Sequence, residues 1–230
     1  MMISVIIPTL NESSTIARTL TRTVALGFDD IIVSDGGSSD STRQMVQTCC
    51  ARVPAVRLVT APTGRARQLN EGVKACRGDV LLFLHADTEL PPTARTAIES
   101  ALEHASYVGG RFDVRFDQPS RWGAVISWFM NRRSRLTGIA TGDQAIFVRR
   151  RVFEQMGGFP DIPLMEDIEF SRRLKRRGPT AALTDRVTTS FRRWEKNGPL
   201  RTILLMWTLR FLYWLGVSPA RLNNFYRAIR

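Results

Sequence analysis

The chain has 230 residues, of which 43% are hydrophobic and 23% are charged. This length allows one substantial hydrophobic core, and the composition excludes a chain that is disordered throughout. The formal net charge of +12 indicates attraction to anions, a class that includes nucleotide phosphates, nucleic acid and anionic lipid head groups.

Apolar runs alternate with helical patterns over the first hundred residues. The runs predict strands at Ile3–Ile7, Ile31–Val33, Val56–Val59 and Val80–Leu84. Helices are predicted at residues 16–24, capped by Asn11–Ser14, at Asp40–Cys50, and at Ala66–Cys76, closed by Gly78. This alternation is typical of βαβ units, so we expect an α/β protein with a mostly parallel central sheet flanked by helices.

The second half of the chain has a different pattern. We predict a half-exposed strand at Gly109–Phe116, a helix at Arg121–Asn131, a strand at Asp143–Val148, a turn at Gly157–Pro160 and a helix at Glu166–Arg177. Leu200–Val217 is strongly apolar, but Arg201, Thr208 and Arg210 interrupt it, so it falls short of a membrane-spanning helix. Such a tail either lies at a membrane surface, with Trp207, Tyr213 and Trp214 at the boundary and arginines beyond, or packs on its own domain or on a second subunit.

Cysteine usage and the start of the chain bear on its location. Cys49, Cys50 and Cys76 show no CxxC spacing, which favours ordinary buried thiols over a zinc site. The first residues run directly into an apolar strand without a basic n-region, and this predicts a cytoplasmic protein.

Polar residues follow the predicted strands, where parallel sheets bind ligands. Asp35 precedes two glycines that allow close approach of backbone N–H groups, and it is placed to accept from a base or a ribose, although such turns are also common connectors. Asp87 ends an otherwise apolar strand, where it either ligates Mg²⁺ or Mn²⁺ together with a diphosphate or begins a turn. Glu166 and Asp167 either complement a helix dipole or supply a general base.

Four segments in order resemble the motifs of family 2 inverting glycosyltransferases: Ile3–Glu12, Val33–Asp40, His85–Asp87 and Glu166–Asp167. The resemblance covers residues 3–180 and implies a glycosyltransferase-A fold. It implies a nucleotide-binding half at 1–106 and an acceptor half at 107–195 in one catalytic domain, followed by an amphipathic helical tail at 196–230.

The resemblance also implies roles for individual residues. Asp87 would ligate Mn²⁺ or Mg²⁺, Asp167 would be the general base and Glu166 its catalytic neighbour. Donor contacts are implied at Pro8, Thr9, Asn11, Glu12, Asp35, Gly36, Arg65 and Ala86. Acceptor-side contacts are expected at Gly142, Asp143, Arg193 and Trp194, of which the last two are equally consistent with a surface loop. His85 departs from the family pattern, because an acid is usual there.

The resemblance implies one displacement, with inversion, from a nucleoside diphosphate sugar to an acceptor hydroxyl. It favours UDP as the nucleotide, and the apolar tail suggests a lipid-linked acceptor at the inner membrane face or a homodimer formed through the C-terminal helices. The alternative is an inactive nucleotide-sugar-binding or membrane-docked scaffold. A nucleic-acid partner is not expected, since no aromatic RNA motif or reading helix accompanies the charge.

Overall fold

A computed structural model describes residues 1–229, with the side chains of residues 193 and 227–229 outside that description. The strands are β1 (Ile3–Thr9), β2 (Asp30–Asp35), β3 (Val56–Thr60), β4 (Val80–Phe83), β5 (Thr88–Glu89), β6 (Gly109–Phe116), β7 (Phe147–Arg149) and β8 (Thr180–Thr189). The α-helices are α1 (Ile16–Ala25), α2 (Thr42–Arg52), α3 (Arg65–Ala75), α4 (Ala94–Glu103), α5 (Arg121–Thr137), α6 (Arg150–Gln155), α7 (Glu166–Arg177), α8 (Arg192–Asn197), α9 (Pro199–Trp214) and α10 (Pro219–Ile229).

One sheet of eight strands organises the described residues, in the order β3-β2-β1-β4-β7-β6-β8-β5. The first four are parallel, as the βαβ pattern predicts. Strand β7 runs antiparallel to both β4 and β6, and β6 runs parallel to β8. The expectation of a mostly parallel sheet flanked by helices is therefore confirmed.

The two faces of the sheet bury separate apolar clusters because side chains alternate along each strand. Ile7, Val33 and Leu82 belong to the cluster that also holds residues of α1, α2 and α4. Ile6 and Phe83 point to the other face and pack with residues of α3, α6 and α7. Strands buried on both faces read as continuous apolar runs, and this is why β1, β2 and β4 were predictable.

Several predictions for the second half are wrong. Strand β6 is buried over its first six residues rather than half-exposed, because Arg111 and Asp113 pair with each other inside the protein. The segment predicted as one strand at Asp143–Val148 begins as a 3₁₀ turn at Gly142–Gln144 and has a left-handed residue, Ala145, before β7. Helix α5 continues to Thr137, and α6 and β8 were not predicted.

Two predicted caps also differ. Helix α1 begins after Thr15 with no side-chain cap, while Asn11 bonds the neighbouring loop. Helix α3 ends at an extended Cys76 rather than at a left-handed glycine. The three cysteines are free thiols packed beside the core.

The C-terminal helices pack with one side against the domain. Leu209 and Leu222 are buried with Met165, the residue that precedes α7, and the Tyr213 hydroxyl donates to Glu169 Oε2 at 3.2 Å. Tyr213 therefore lies on the inner side of α9, not at the outer boundary predicted for it. No helix among residues 1–229 is both long and apolar enough to cross a bilayer. Arg227 and Arg230 are among the arginines expected beyond this boundary, and their side chains lie outside the described part of the chain.

Candidate active site

Asp35 organises the loop that follows β2. It is fully buried, and its carboxylate accepts from the backbone N–H groups of Gly37 and Ser38, both at 3.0 Å, and from the hydroxyls of Ser38 and Thr9. Burial acts to raise the pKa of Asp35, but these hydrogen bonds outweigh it and hold the pKa below its ordinary value. The carboxylate is thus ionised and shapes the Gly36–Ser38 loop beside Thr9, while its contact with a base stays a prediction.

Asn11 connects the loops that follow β1 and β2. Its side-chain Oδ1 accepts from the Ser39 backbone N–H at 2.9 Å, and its own N–H donates to Ser38 Oγ at 2.9 Å. These bonds hold Asn11 in the left-handed conformation, with φ of 57°, which asparagine tolerates better than most residues. Pro8 is half-buried and is the second-last residue of β1, just before this connection.

Gln68 was not singled out in the sequence. It is buried on α3, and its Nε2 donates to the carbonyls of Thr9 and Ser34 at 2.6 and 3.2 Å. A Cβ on Gly36 would lie 2.8 Å from the Gln68 side chain, so the glycine is needed for this packing. A glutamine on a helix reads in the sequence as an exposed position, so no local signal marked it.

A concave pocket opens beside the end of β4. It is lined by Arg65, Leu69, Phe83, His85, Gly142, Ile146, Phe159, Glu166 and Asp167. Arg65, Gly142, Glu166 and Asp167 are predicted site residues, and His85 belongs to one of the four resembling segments. These five residues are far apart in the chain. The pocket therefore unites α3, the loop after β4, the 3₁₀ turn and the start of α7. Asp35 and Asp87 are not among the lining residues.

Glu166 and Arg65 form an ion pair at the pocket wall. Arg65 Nη1 lies 3.3 Å from Glu166 Oε1, and the Glu166 side chain is only 5% exposed. Burial raises the pKa of Glu166 above its ordinary value, with repulsion from Asp167 in the same direction and Arg65 opposing it. Burial acts to lower the pKa of Arg65, but Glu166, Asp167 and Asp143 outweigh it and raise that pKa. One cation thus faces three carboxylates.

Asp167 is held by two backbone donors. Its Oδ2 accepts from the Gly142 N–H at 2.9 Å, and its Oδ1 accepts from its neighbour Ile168 at 2.7 Å. Met165, the residue before α7, has a left-handed backbone with φ of 69° and is buried against α9 and α10. This strained residue aims the first turn of α7 at the pocket.

His85 is engaged within the site. Its Nδ1 lies 3.0 Å from Asp143 Oδ1, and a Cβ on Gly142 would come within 2.3 Å of its Nε2. The imidazole therefore packs directly on the turn that donates to Asp167. Ala86, which follows, is buried, and its carbonyl accepts from the Thr19 hydroxyl of α1 at 2.7 Å.

Asp87 and Glu12 lie near enough for their negative charges to interact. Burial raises the pKa of Glu12, and the negative charge of Asp87 adds to that increase. Two mutually repelling carboxylates are a donor set that Mn²⁺ or Mg²⁺ accepts when phosphate and water supply the remaining oxygens. No cluster of three or more His, Cys, Asp or Glu side chains among the described residues forms a complete metal site. The set fits an ion that is completed by a ligand.

Helix α8 approaches the loop that follows β1. Arg192 Nη1 donates to Ser14 Oγ at 3.1 Å, and Arg192 Nη2 lies 3.8 Å from Glu12 Oε2. Trp194 stacks with Phe191 and contacts Phe116 edge-on, so this segment is a short helix rather than a surface loop. The Arg193 side chain, predicted to contact substrate, lies outside the described residues.

The chain is similar to known proteins both in sequence and in fold. Residues 4–157 match the family described as glycosyl transferase family 2. An undecaprenyl-phosphate 4-deoxy-4-formamido-L-arabinose transferase of Pseudomonas fluorescens (strain SBW25) is 30% identical over 161 residues, which are 64% of this chain and 46% of that protein. The enzyme of the same name from Pseudomonas syringae pv. syringae (strain B728a) is 28% identical, covering 99% of this chain and 72% of the relative. The chain thus spans about half the length of the first of these relatives.

Two solved structures share the fold. S. aureus TarS superposes with a TM-score of 0.67 at 19% identity, over 83% of this chain and 37% of TarS. The mannosyltransferase PcManGT from Pyrobaculum calidifontis, in complex with GDP-Man and Mn²⁺, superposes with a TM-score of 0.62 at 23% identity, over 82% of this chain and 56% of that structure.

Proposed function

Since the chain belongs to glycosyl transferase family 2 and has the glycosyltransferase-A fold, we propose that it transfers a sugar from a nucleoside diphosphate to an acceptor hydroxyl with inversion, with the help of Mn²⁺ or Mg²⁺. Residues 1–106 would form the nucleotide half, residues 107–195 the acceptor half, and 196–230 an appended helical tail. UDP is the proposed nucleotide, and its support is that TarS structures contain UDP-GlcNAc and UDP.

One observation carries this proposal: Asp167 stands in the pocket with its Oδ2 held by the Gly142 N–H. A carboxylate held by one backbone donor at each oxygen presents its remaining lone pairs in a defined direction, as a general base requires. Arg65 forms an ion pair with Glu166 and compensates the charge of that acid. Asp167 is therefore the carboxylate placed to receive the acceptor proton. The hydroxyl oxygen then attacks the anomeric carbon while the nucleoside diphosphate leaves from the opposite face.

The donor half would bind the nucleotide through the loops after β1, β2 and β4. Ionised Asp35 holds the Gly37 and Ser38 N–H groups in a turn where Gly37 leaves room for a ligand near the backbone. Asp87 and Glu12 would hold the divalent ion, which supplies charge stabilisation to the departing diphosphate when bound. Half-exposed Arg65 adds a positive charge that diphosphate oxygens can reach.

A membrane-borne, lipid-linked acceptor is proposed from the tail. Leu200, Leu204, Trp207, Phe211 and Trp214 form one row along α9, and each is 57–77% exposed. The row is at helical spacing and lies opposite the buried Leu209, with exposed Arg201 and Arg221 nearby. This combination of aromatic, aliphatic and basic groups fits the inner face of an anionic membrane. The two Pseudomonas relatives are named as transferases that act on undecaprenyl phosphate.

A thermal-shift panel tests the donor half of the proposal. UDP-sugars with Mn²⁺ should raise the melting temperature, because a ligand that binds only the folded state stabilises it. Release of UDP in the same mixtures then measures turnover. Stabilisation without turnover under any donor and acceptor extract would identify a binding scaffold instead, and no stabilisation by any nucleotide sugar would refute the proposal.

Vesicle flotation tests the membrane surface. Vesicles rich in anionic lipid should carry the chain to the top of the gradient. Trp207→Glu combined with Phe211→Glu should abolish this flotation. Arg18→Glu, an exposed charge change on α1, is the control. An alternative outcome is that the original chain dimerises with rising concentration and does not float. If the same pair of substitutions abolished that dimerisation, a second copy of the chain would be shown to cover α9.

A further inference from the structure

Met165 precedes α7 in a conformation that its own chemistry disfavours. Its backbone is left-handed, with φ of 69°, and its carbonyl accepts a helical hydrogen bond from the Glu169 N–H at 3.0 Å. Positive φ values are uncommon for residues with a Cβ, and methionine supplies no oxygen to cap the N–H groups at a helix start. Two local rules are thus broken directly before Glu166 and Asp167, so contacts from elsewhere must hold this residue.

The contacts that hold Met165 come from the C-terminal helices. Its side chain is buried in one apolar cluster with Leu209 of α9 and Leu222 of α10, both of which are fully buried. Tyr213 of α9 adds a polar contact to the same turn, because its hydroxyl donates to Glu169 Oε2 at 3.2 Å. The α9–α10 pair therefore packs on the start of α7 through both apolar and polar contacts.

The start of α7 has two faces with different surroundings. Met165 and Ile168 are three positions apart, and both belong to the cluster that includes residues of α9 and α10. Glu166 and Asp167, which lie between them in the chain, line the pocket, where Asp167 accepts from the Gly142 N–H. Because both faces belong to one turn, a movement of the apolar face would move the acidic face with it.

We propose that Met165 is a positioning residue, and that α9 and α10 act through it as a clamp on the turn that carries Asp167. The proposal rests on the proposed transferase function, because it concerns the direction in which the general base points. It adds that the C-terminal helices shape the active site, besides any contact that they make with a membrane. Donor binding, which is proposed for the loops after β1, β2 and β4, should not depend on this clamp.

Two leucines on α9 give a matched test of the clamp in the full chain. Leu209→Ala removes a buried contact in the Met165 cluster, whereas Leu204→Ala makes the same change at a side chain that is 68% exposed. Rates are measured below both melting temperatures, with Mn²⁺ and the UDP-sugar that stabilises the chain most. We expect Leu209→Ala to lower kcat at least about tenfold, because a misplacement of about 1 Å can cost about 10²-fold in rate. Its KM for the donor should stay close to that of Leu204→Ala, and equal kcat values for the two variants would overturn the clamp.

Two substitutions of Met165 separate positioning from packing. Glycine adopts a φ of 69° at no steric cost, whereas alanine keeps that cost while it fills more of the space. We therefore expect Met165→Gly to retain a higher kcat than Met165→Ala, although glycine is the smaller residue. A role in packing alone predicts the opposite order, and that order would refute the proposal. This pair decides the question even if Leu209→Ala does not fold.

Hydrogen exchange of the ligand-free chain tests the clamp without any turnover. The Glu169 N–H, which donates to the Met165 carbonyl, should exchange faster in Leu209→Ala than in Leu204→Ala. The Gly36 N–H, which donates to the Thr9 carbonyl in the loop after β2, is the internal reference and should exchange equally in both. Equal exchange at Glu169 would overturn the clamp alone. Faster exchange there, in a chain that neither binds nor turns over any nucleotide sugar, would support the clamp and refute the proposed function alone.

Discussion

Replacing Asn70 with leucine should loosen the segment that delivers the acidic pair to the pocket. Asn70 is half-buried on α3, and its side chain makes two hydrogen bonds with one residue: Nδ2 donates to the Phe159 carbonyl and Oδ1 accepts from the Phe159 N–H, both at 2.9 Å. Phe159 is itself buried and stacked on Phe170 of α7, with ring centroids 4.1 Å apart. The amide therefore joins α3 to the loop that leads into Glu166.

The magnitude follows from the two groups left without partners. Each unsatisfied buried backbone group costs about 1–3 kcal/mol, and the site is only partly buried, so we expect a loss of roughly 2–3 kcal/mol in the free energy of unfolding. For a chain of this size that corresponds to a fall of roughly 5–10 °C in melting temperature. The turnover rate should fall more than KM rises, because the loop positions Asp167 rather than the donor.

Urea and thermal unfolding measure the stability, and UDP release measures the rate. Lys74→Leu, an exposed position on the same helix, is the matched control. Asn70→Asp should give an intermediate loss, since it keeps the acceptor for the Phe159 N–H but opposes the carbonyl with a second oxygen. An Asn70→Leu chain within about 0.5 kcal/mol of the control, the range of an ordinary surface change, would refute this reasoning.

Three further predictions concern single side chains. Asp30→Asn should destabilise the fold by about 2–3 kcal/mol, because the buried carboxylate pairs with Arg57 and accepts from Ser4. Burial acts to raise the pKa of Asp30, but hydrogen bonds outweigh it and lower that pKa, so its stabilisation is complete above about pH 4 and is lost as the pH falls through the folded-state pKa. A pH series of unfolding curves, with the exposed Asp29→Asn as control, would contradict this if the two variants matched. Asp87→Asn should raise the Mn²⁺ concentration for half-maximal activity at least tenfold, roughly the loss of one of few carboxylate ligands, and an unchanged Mn²⁺ titration would count against the metal assignment. Gly142→Ala should cost about 1–3 kcal/mol and lower turnover, because its Cβ would displace His85, and an unaltered rate would argue against that packing.

The first hundred residues could be predicted from the sequence because the rules that shape them are local. Strands β1, β2 and β4 are buried on both faces and read as unbroken apolar runs, and parallel pairing then places the residues that follow them at one edge. The local pattern left the role of Glu166 and Asp167 open, and only the resemblance of four ordered segments to family 2 glycosyltransferases implied it.

The second half of the chain depends on tertiary contacts that leave little local trace. Strand β8 mixes charged and apolar residues because most of its side chains are only partly buried, so neither periodicity stands out. The 3₁₀ turn at Gly142–Gln144 depends on a buried glutamine whose partners lie on β6 and α5. Gln68 and Asn70 were missed for the same reason: both act on backbone groups of distant segments, and a polar residue on α3 reads locally as surface.

The role of Asp167 as general base is tested most directly by Asp167→Asn. The variant keeps an oxygen for one backbone donor but removes the proton acceptor, so UDP release from the UDP-sugar that stabilises the chain most should fall by about 10²–10⁴-fold. Stabilisation by the same donor with Mn²⁺ should remain within the range of the original chain. A variant that binds the donor and still turns over within threefold of the original rate, a difference of only about 0.7 kcal/mol in barrier, would contradict the account.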